Sequence, residues 1–274
     1  MPLMANYIYE SGANPVTLVF LRNTLALPIL AVLAYAEQKT LKIMVKSLAK
    51  ITVISFFGCC MTPILLFSSY RFMASGTATI IHFVYPAIVV VLGMLFLKNK
   101  VKLHGLVSII LCVAGIALFY NPQEPINLQG AAFALASGIT FAIYILLLTV
   151  FKNREISGFL FNFYVALTSS VLTFLICIAT NQLALPTTLL GWGLCLLFGL
   201  SVTAGAVFMF QQGTFLIGGE KAAILSTLEP ITSVIIGVLV FHEQLRLNTV
   251  IGSIMVIAAS ILTAVFDMRK KKTE

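Results

Sequence analysis

The chain has 274 residues, of which 60% are hydrophobic and 9% charged, and its mean hydropathy is +1.05. Soluble domains hold about 45–50% apolar and about 25% charged residues, so a soluble fold is excluded and lipid is the solvent for most of this surface. The formal charge of +8 invites a nucleic-acid partner, but the basic residues sit in short breaks between apolar runs, and that location excludes one.

A helix needs about 20 apolar residues to cross a bilayer. The first stretch, Met1–Tyr9, is apolar but too short to cross, and it lacks the basic region and cleavage site of a signal peptide. It reads as the end of a helix, and the natural chain is expected to start roughly 15–20 residues upstream. Full spans are then expected over 15–36, 51–72, 77–97, 103–120, 129–151, 158–180, 188–212, 221–241 and 247–267. Turn-forming residues separate them, as in Glu10-Ser-Gly-Ala-Asn-Pro15 and Asn121-Pro-Gln-Glu-Pro125. The predicted fold class is an all-α polytopic membrane protein with nine full spans and a partial first helix. Cys59, Cys60, Cys112, Cys177 and Cys195 all fall inside apolar runs without C-x-x-C spacing, and read as buried free thiols.

The breaks alternate in charge. Fourteen of the 17 basic residues fall in one alternating set, from Lys39, Lys42, Lys46 and Lys50 to Arg269 and the three lysines after it. The opposite set holds only Arg71 and Arg246, and Arg22 lies within a span. Basic loops stay cytoplasmic. The expected location is therefore the cytoplasmic membrane, with residues 268–274 as a basic cytoplasmic tail.

A shift of 144 residues aligns Ala78–Gly93 with Ala222–Gly237, bringing Pro86 onto Pro230 and Gly93 onto Gly237. At a shift of 141, Phe57-Gly58 falls on Phe198-Gly199. With the first helix restored, each half has five helices, and an odd number inverts the second half relative to the first. Inverted repeats of this kind mark secondary transporters. The domains expected are a first repeat over 1–121 and a second over 128–267.

Several motifs carry a resemblance. They are the Pro-x6-Gly helix followed by a basic turn, the Leu228-Glu-Pro230 opening of its mate, the Asn14-Pro-x6-Arg22 stretch and the two Phe-Gly pairs. Together they resemble the EamA-like permeases of the drug/metabolite transporter superfamily over nearly the whole chain. The resemblance implies ten helices, both termini cytoplasmic, alternating access around a central cavity, and export or exchange of amino acids and other small metabolites. One departure is that the family's Glu after the Pro helix is kept at Glu243 but is Asn99 in the first half.

Intramembrane polar groups nominate the site. Pro86 and Pro230 have no N–H, so the carbonyls of His82 and Ser226 lose their helical partners, which is tolerated at membrane depth beside a wet cavity or a neighbouring helix. Both prolines are read as helix-break or hinge positions. Just before them stand Tyr85 and Glu229, which are mates in the repeat. An acid at a span centre costs ~2.5–3.5 kcal/mol on insertion scales. Glu229 either binds a substrate ammonium, carries a coupling proton, or stays neutral and hydrogen-bonded across a helix interface. His82 shares the substrate or proton, or is simply hydrogen-bonded to a neighbour. Tyr85 lines the site, or packs as an ordinary aromatic. Arg22 lies about 10 Å into its helix, where it snorkels outward, pairs inward, or attracts a substrate carboxylate. Trp192 reads as an interface anchor. Tyr144, Asn162, Tyr164, Gln211 and Gln212 are further polar candidates, and Gly199, Gly205, Gly237 and Gly252 read as close-packing positions.

A membrane enzyme is the rival class. Asp267 is the only Asp in the chain, its three histidines form no H-E-x-x-H, and it has no G-x-S-x-G and no P-loop. The function expected is a secondary active permease for a small metabolite, plausibly an amino acid or a related compound. The alternatives are a flippase for a lipid-linked sugar and a small multidrug exporter. The expected partners are the bilayer, the small-molecule substrate and H+ as a coupling ion, with no cofactor or metal. Both a monomer and a homodimer are compatible with the sequence.

Overall fold

The computed structural model describes residues 2–97, 107, 110–111, 114–115, 118, 127–151, 156–217, 226 and 247–270. Among them the chain is helical, with no strand. The helices are α1 (Pro2–Glu10), α2 (Pro15–Gln38), α3 (Val45–Ser55), α4 (Thr62–Ser69), α5 (Ser75–His82), α6 (Tyr85–Leu97), α7 (Leu128–Val150), α8 (Gly158–Ala179), α9 (Leu189–Phe198), α10 (Phe208–Ile217) and α11 (Leu247–Lys270). Two π-helical segments interrupt this order. Phe56–Met61 joins α3 to α4, and Gly199–Val207 joins α9 to α10.

Five continuous helical runs are long and apolar enough to cross a membrane: Pro15–Gln38, Val45–Ser69, Leu128–Val150, Gly158–Ala179 and Leu189–Leu216. They correspond to the expected spans over 15–36, 51–72, 129–151, 158–180 and 188–212. The expected span over 77–97 is two helices with a turn at Phe83–Val84. Most of 103–120 and all but Ser226 of 221–241 lie outside the described residues.

The chain divides into two compact units. One comprises Met1–Ile64 and Leu147–Leu216, the other Leu65–Leu146 and Ile217–Glu274. Each draws on both halves of the sequence.

In the first unit α2 is the central element. Asn14 caps it, with Oδ1 accepting from the Thr17 N–H at 2.9 Å. Pro15 follows at the first helical position, where its missing N–H costs nothing. Lys39 closes the helix in the left-handed region at φ 55°. The end of α2 then caps the start of α8. The Gln38 side chain accepts from the Ser157 N–H at 3.0 Å and the Glu37 carboxylate from the Phe159 N–H at 3.2 Å. A carboxylate at a helix N-terminus also meets the positive end of the helix dipole.

α8 packs along the length of α2, and both π segments pack against this pair. Lipid tails give helices no hydrophobic reason to associate, so small residues and buried hydrogen bonds hold the interface. Ala26, Leu30 and Ala166 are fully buried at its centre. Gly199 lies so close to α2 that a Cβ there would stand 2.8 Å from the Arg22 carbonyl oxygen. Asn23 Nδ2 donates to Ser169 Oγ at 3.0 Å, the Thr24 and Ser170 hydroxyls share a bond of 2.6 Å, and Ser55 Oγ donates to the Val165 carbonyl at 3.0 Å.

In the second unit α11 packs on α6 and α5. Gly252 of α11 meets Gly115 backbone to backbone, and a Cβ on Gly252 would stand 2.4 Å from the Gly115 carbonyl oxygen. α7 bears on α5 through Ser137 and Gly138, which is where the site lies.

Candidate functional site

Pro86 shapes the second unit. Without an N–H it cannot continue the hydrogen-bond ladder from His82, and its ring crowds the preceding turn. The chain answers with a break: α5 ends at His82, Phe83 and Val84 form a turn, and α6 starts at Tyr85. Val84 bridges the break, its N–H donating to the Ile81 carbonyl at 3.2 Å and its carbonyl accepting from the Ala87 N–H at 3.0 Å.

Residue 82 is gripped twice by α7. His82 Nδ1 lies 2.8 Å from Ser137 Oγ. The carbonyl whose usual partner Pro86 removes rests against Gly138, where a Cβ would stand 2.8 Å from the His82 oxygen. Only glycine admits a carbonyl that close. Ser137 itself donates to the Ala134 carbonyl at 2.6 Å, one turn back on α7.

Aromatic rings enclose this junction. The His82 ring lies 5.6 Å from Tyr85, 5.4 Å from Phe141 and 5.9 Å from Phe83, centroid to centroid. Tyr85 meets Phe141 edge-on at 4.7 Å, and Phe141 meets Tyr144 at 5.5 Å. Such tilted and edge-on pairs suit the ring quadrupole. Tyr85 is fully buried, and His82 keeps 6% of its surface exposed. The Tyr85 hydroxyl shares a hydrogen bond of 2.5 Å with Ser226 Oγ. The structure thus brings together His82, Tyr85, Pro86 and Ser226. Glu229 and Pro230 lie outside the described residues.

Arg22 belongs to the first unit. It does not snorkel: its side chain is 4% exposed, and Nη2 reaches toward the Cys59 carbonyl of the π segment Phe56–Met61 at 3.5 Å. Asn23 Nδ2 approaches the same carbonyl at 3.4 Å. A π turn closes its ring five residues back rather than four. Accordingly the N–H and the hydroxyl of Thr62 both donate to the Phe57 carbonyl.

The remaining candidates scatter. Tyr144 is buried in the aromatic cluster beside Phe141. Asn162 Nδ2 donates to the Thr203 carbonyl at 3.0 Å, and the Tyr164 hydroxyl donates to the Leu41 carbonyl at 2.5 Å. Gln212 lies over Gly158 at the start of α8, and Gln211 is fully buried. Trp192 is exposed at 37%. Cys59, Cys60, Cys177 and Cys195 are buried free thiols, and Cys112 lies outside the described residues.

Sequence reasoning missed Ser137, Gly138 and Phe141. Ser137 and Phe141 at i and i+4, and Gly138 and Phe141 at i and i+3, are neighbours on the helix surface, but nothing in the sequence ties them to residue 82.

Apolar helices long enough to cross a membrane define a multi-pass membrane protein. The model of the EamA-like transporter family matches residues 1–121 and again 128–265, so the chain belongs to that family. An uncharacterized transporter of Clostridium kluyveri is 21% identical over 249 residues, covering 87% of this chain and 78% of its own length. The uncharacterized inner membrane transporter YicL of Salmonella typhimurium is 25% identical, over 72% of this chain and 67% of its own. The uncharacterized transporter YwfM of Bacillus subtilis is 26% identical, over 69% and 63%. A solved crystal structure at 14% identity superposes with a TM-score of 0.66, covering 97% of this chain and 95% of its own, which establishes a shared fold.

Proposed function

We propose that this transporter is a secondary active permease of the cytoplasmic membrane, moving a small metabolite, an amino acid or a close relative, by alternating access. In this reading the halves 1–121 and 128–267 are inverted five-helix repeats, and the tail after residue 267 is cytoplasmic. The observation that carries it is the proline-broken helix that holds His82 and Tyr85 in one buried junction. Transporters of inverted-repeat design bind substrate where discontinuous helices meet near the midplane.

Glu229 enters the proposal through the repeat. Ser226 stands 144 residues beyond His82, and Glu229 stands 144 beyond Tyr85. A two-fold relation between the halves exchanges partners, so that a contact of one pair has a counterpart in the other. In this reading the counterpart of the Tyr85–Ser226 bond is an approach of Glu229 to His82, close enough for both to accept from one bound donor. We assign these two residues to one substrate or proton-coupling site, with Tyr85 beside them and Pro86 and Pro230 as hinges. Arg22 serves in this reading as a buried brace between α2 and the π segment.

Proteoliposome uptake of labelled amino acids, with and without an imposed pH gradient, tests the proposal. Uptake is expected in the wild type and is expected to fall at least tenfold in Glu229→Gln and His82→Ala. Wild-type rates and unchanged pH dependence in both variants would refute the assigned site. Scrambling of a lipid analogue without amino-acid uptake would replace the permease by a flippase.

A further inference from the structure

We infer that Ser137 is a positioning residue that holds His82 with its proton on Nδ1, so that the free Nε2 lone pair makes the junction a receptor for a hydrogen-bond donor such as an amine, and not for a carboxylate. The substrate half of this inference rests on the permease reading above. The tautomer half stands on geometry alone.

A serine hydroxyl owns one hydrogen. Ser137 Oγ has two close neighbours, the Ala134 carbonyl oxygen at 2.6 Å and His82 Nδ1 at 2.8 Å. A carbonyl oxygen only accepts. Two oxygens 2.6 Å apart need a hydrogen between them, since that separation is typical of an O–H···O bond and bare lone pairs repel at it. The Ser137 proton is therefore committed to Ala134. The 2.8 Å contact to His82 must then be made by a proton on Nδ1, with Ser137 as acceptor. A neutral imidazole carries one N–H and one lone pair, so the lone pair falls to Nε2.

The surroundings hold this arrangement. Ser137 is fully buried on α7. The His82 carbonyl, seated on Gly138, stops the backbone from sliding along α7. Nε2 is the one hydrogen-bonding atom of the ring that Ser137 does not use, and among the described residues no other side-chain hydrogen bond of His82 is present. Phe83, Tyr85 and Phe141 surround the ring. An ammonium can donate to Nε2, whereas a carboxylate meets its lone pair.

Nitrogen NMR of the full-length protein in nanodiscs, labelled at histidine, tests both halves. The chain has only His82, His104 and His242, and His82→Asn identifies the signal by its loss. The expected wild-type spectrum places the proton on Nδ1 of His82, and Ser137→Ala is expected to move it wholly or partly to Nε2. A wild-type proton on Nε2, or a tautomer unmoved by Ser137→Ala, would overturn the inference. If Ser137→Ala does not fold, the wild-type spectrum decides alone. Butylamine and butyrate then serve as matched probes. Butylamine is expected to shift the His82 Nε2 resonance and butyrate to leave it in place, and the reverse would overturn the ligand class. Loss of the permease reading through absent uptake leaves the tautomer result standing, so the two failures are distinguishable.

Discussion

At the scale of single residues, two glycines of similar sequence context carry opposite expectations. Gly138 supports the His82 carbonyl, and a Cβ there would stand 2.8 Å from a backbone atom that cannot swing aside. Gly138→Ala must therefore push α7 away from α5, with the ~1–3 kcal/mol cost of overpacking. Gly193 of α9 has nothing within 4 Å of an added Cβ. Gly193→Ala only improves helix propensity, by about 0.8–1.0 kcal/mol. Thermal unfolding in detergent should thus show a lower midpoint for the first variant and an equal or higher one for the second. Equal stability of Gly138→Ala and wild type would show that α7 does not press on residue 82. Legibility at this scale was uneven. Pro86 declares itself in the sequence, because no other residue lacks an N–H, and Tyr85 and His82 could be nominated from their distance to it. Ser137 and Gly138 gave no such sign. Within an apolar run nothing singles them out, and their meaning comes from a contact 55 residues away along the chain.

At the scale of elements, hydropathy located the five spans seen among the described residues and said nothing of their internal geometry. A run such as Phe56-Phe-Gly-Cys-Cys-Met61 is equally apolar whether its backbone bonds close four or five residues back. Both π segments include a residue of the Phe-Gly pairs that the internal repeat aligned, Phe57-Gly58 in one and Gly199 in the other. Both pack against α8, and the segment Gly199–Val207 also packs against α2. Each π turn stores an extra residue relative to an α ladder, a feature that recurs at functional sites. Deleting Gly58 returns the local register to α without rotating the rest of the span. The deletion is expected to leave the protein membrane-inserted and monodisperse on size exclusion while reducing uptake at least tenfold, because the Cys59 carbonyl turns away from Arg22 and Asn23. Deleting Leu27 from α2, an α-helix that carries Pro28 and no π turn, is the control. It turns Leu30 and Ala34 by about 100°, away from their buried positions, and is expected to abolish the monodisperse peak. Full uptake by the Gly58 deletion would mean that the π geometry is incidental.

At the scale of the whole molecule, charge rather than packing sets orientation. The five spans visible among the described residues fix a multi-pass membrane protein, but helices alone do not say which end faces inward. The loops do, through lysine and arginine counted close to the span ends. Residues 39–50 carry four lysines and residues 269–272 carry four basic side chains, whereas Glu10–Asn14 carries none. If the halves are inverted, Lys98-Asn-Lys-Val-Lys102 faces the cytoplasm and its repeat mate His242-Glu-Gln-Leu-Arg246 faces out, which accounts for the loss of basic residues in the second copy. The same inversion carries the argument that His82 and Glu229 share a site, so topology tests the site as well. Single cysteines placed at Lys100, Lys270 and Gln244 in a background lacking the native thiols should separate cleanly. In intact cells a membrane-impermeant maleimide should label the third and spare the first two, which react only after lysis. Labelling of the Lys270 position from outside would overturn the inverted arrangement and, with it, the pairing of Glu229 with His82, while leaving the observed junction of His82, Ser137 and Tyr85 in need of another role.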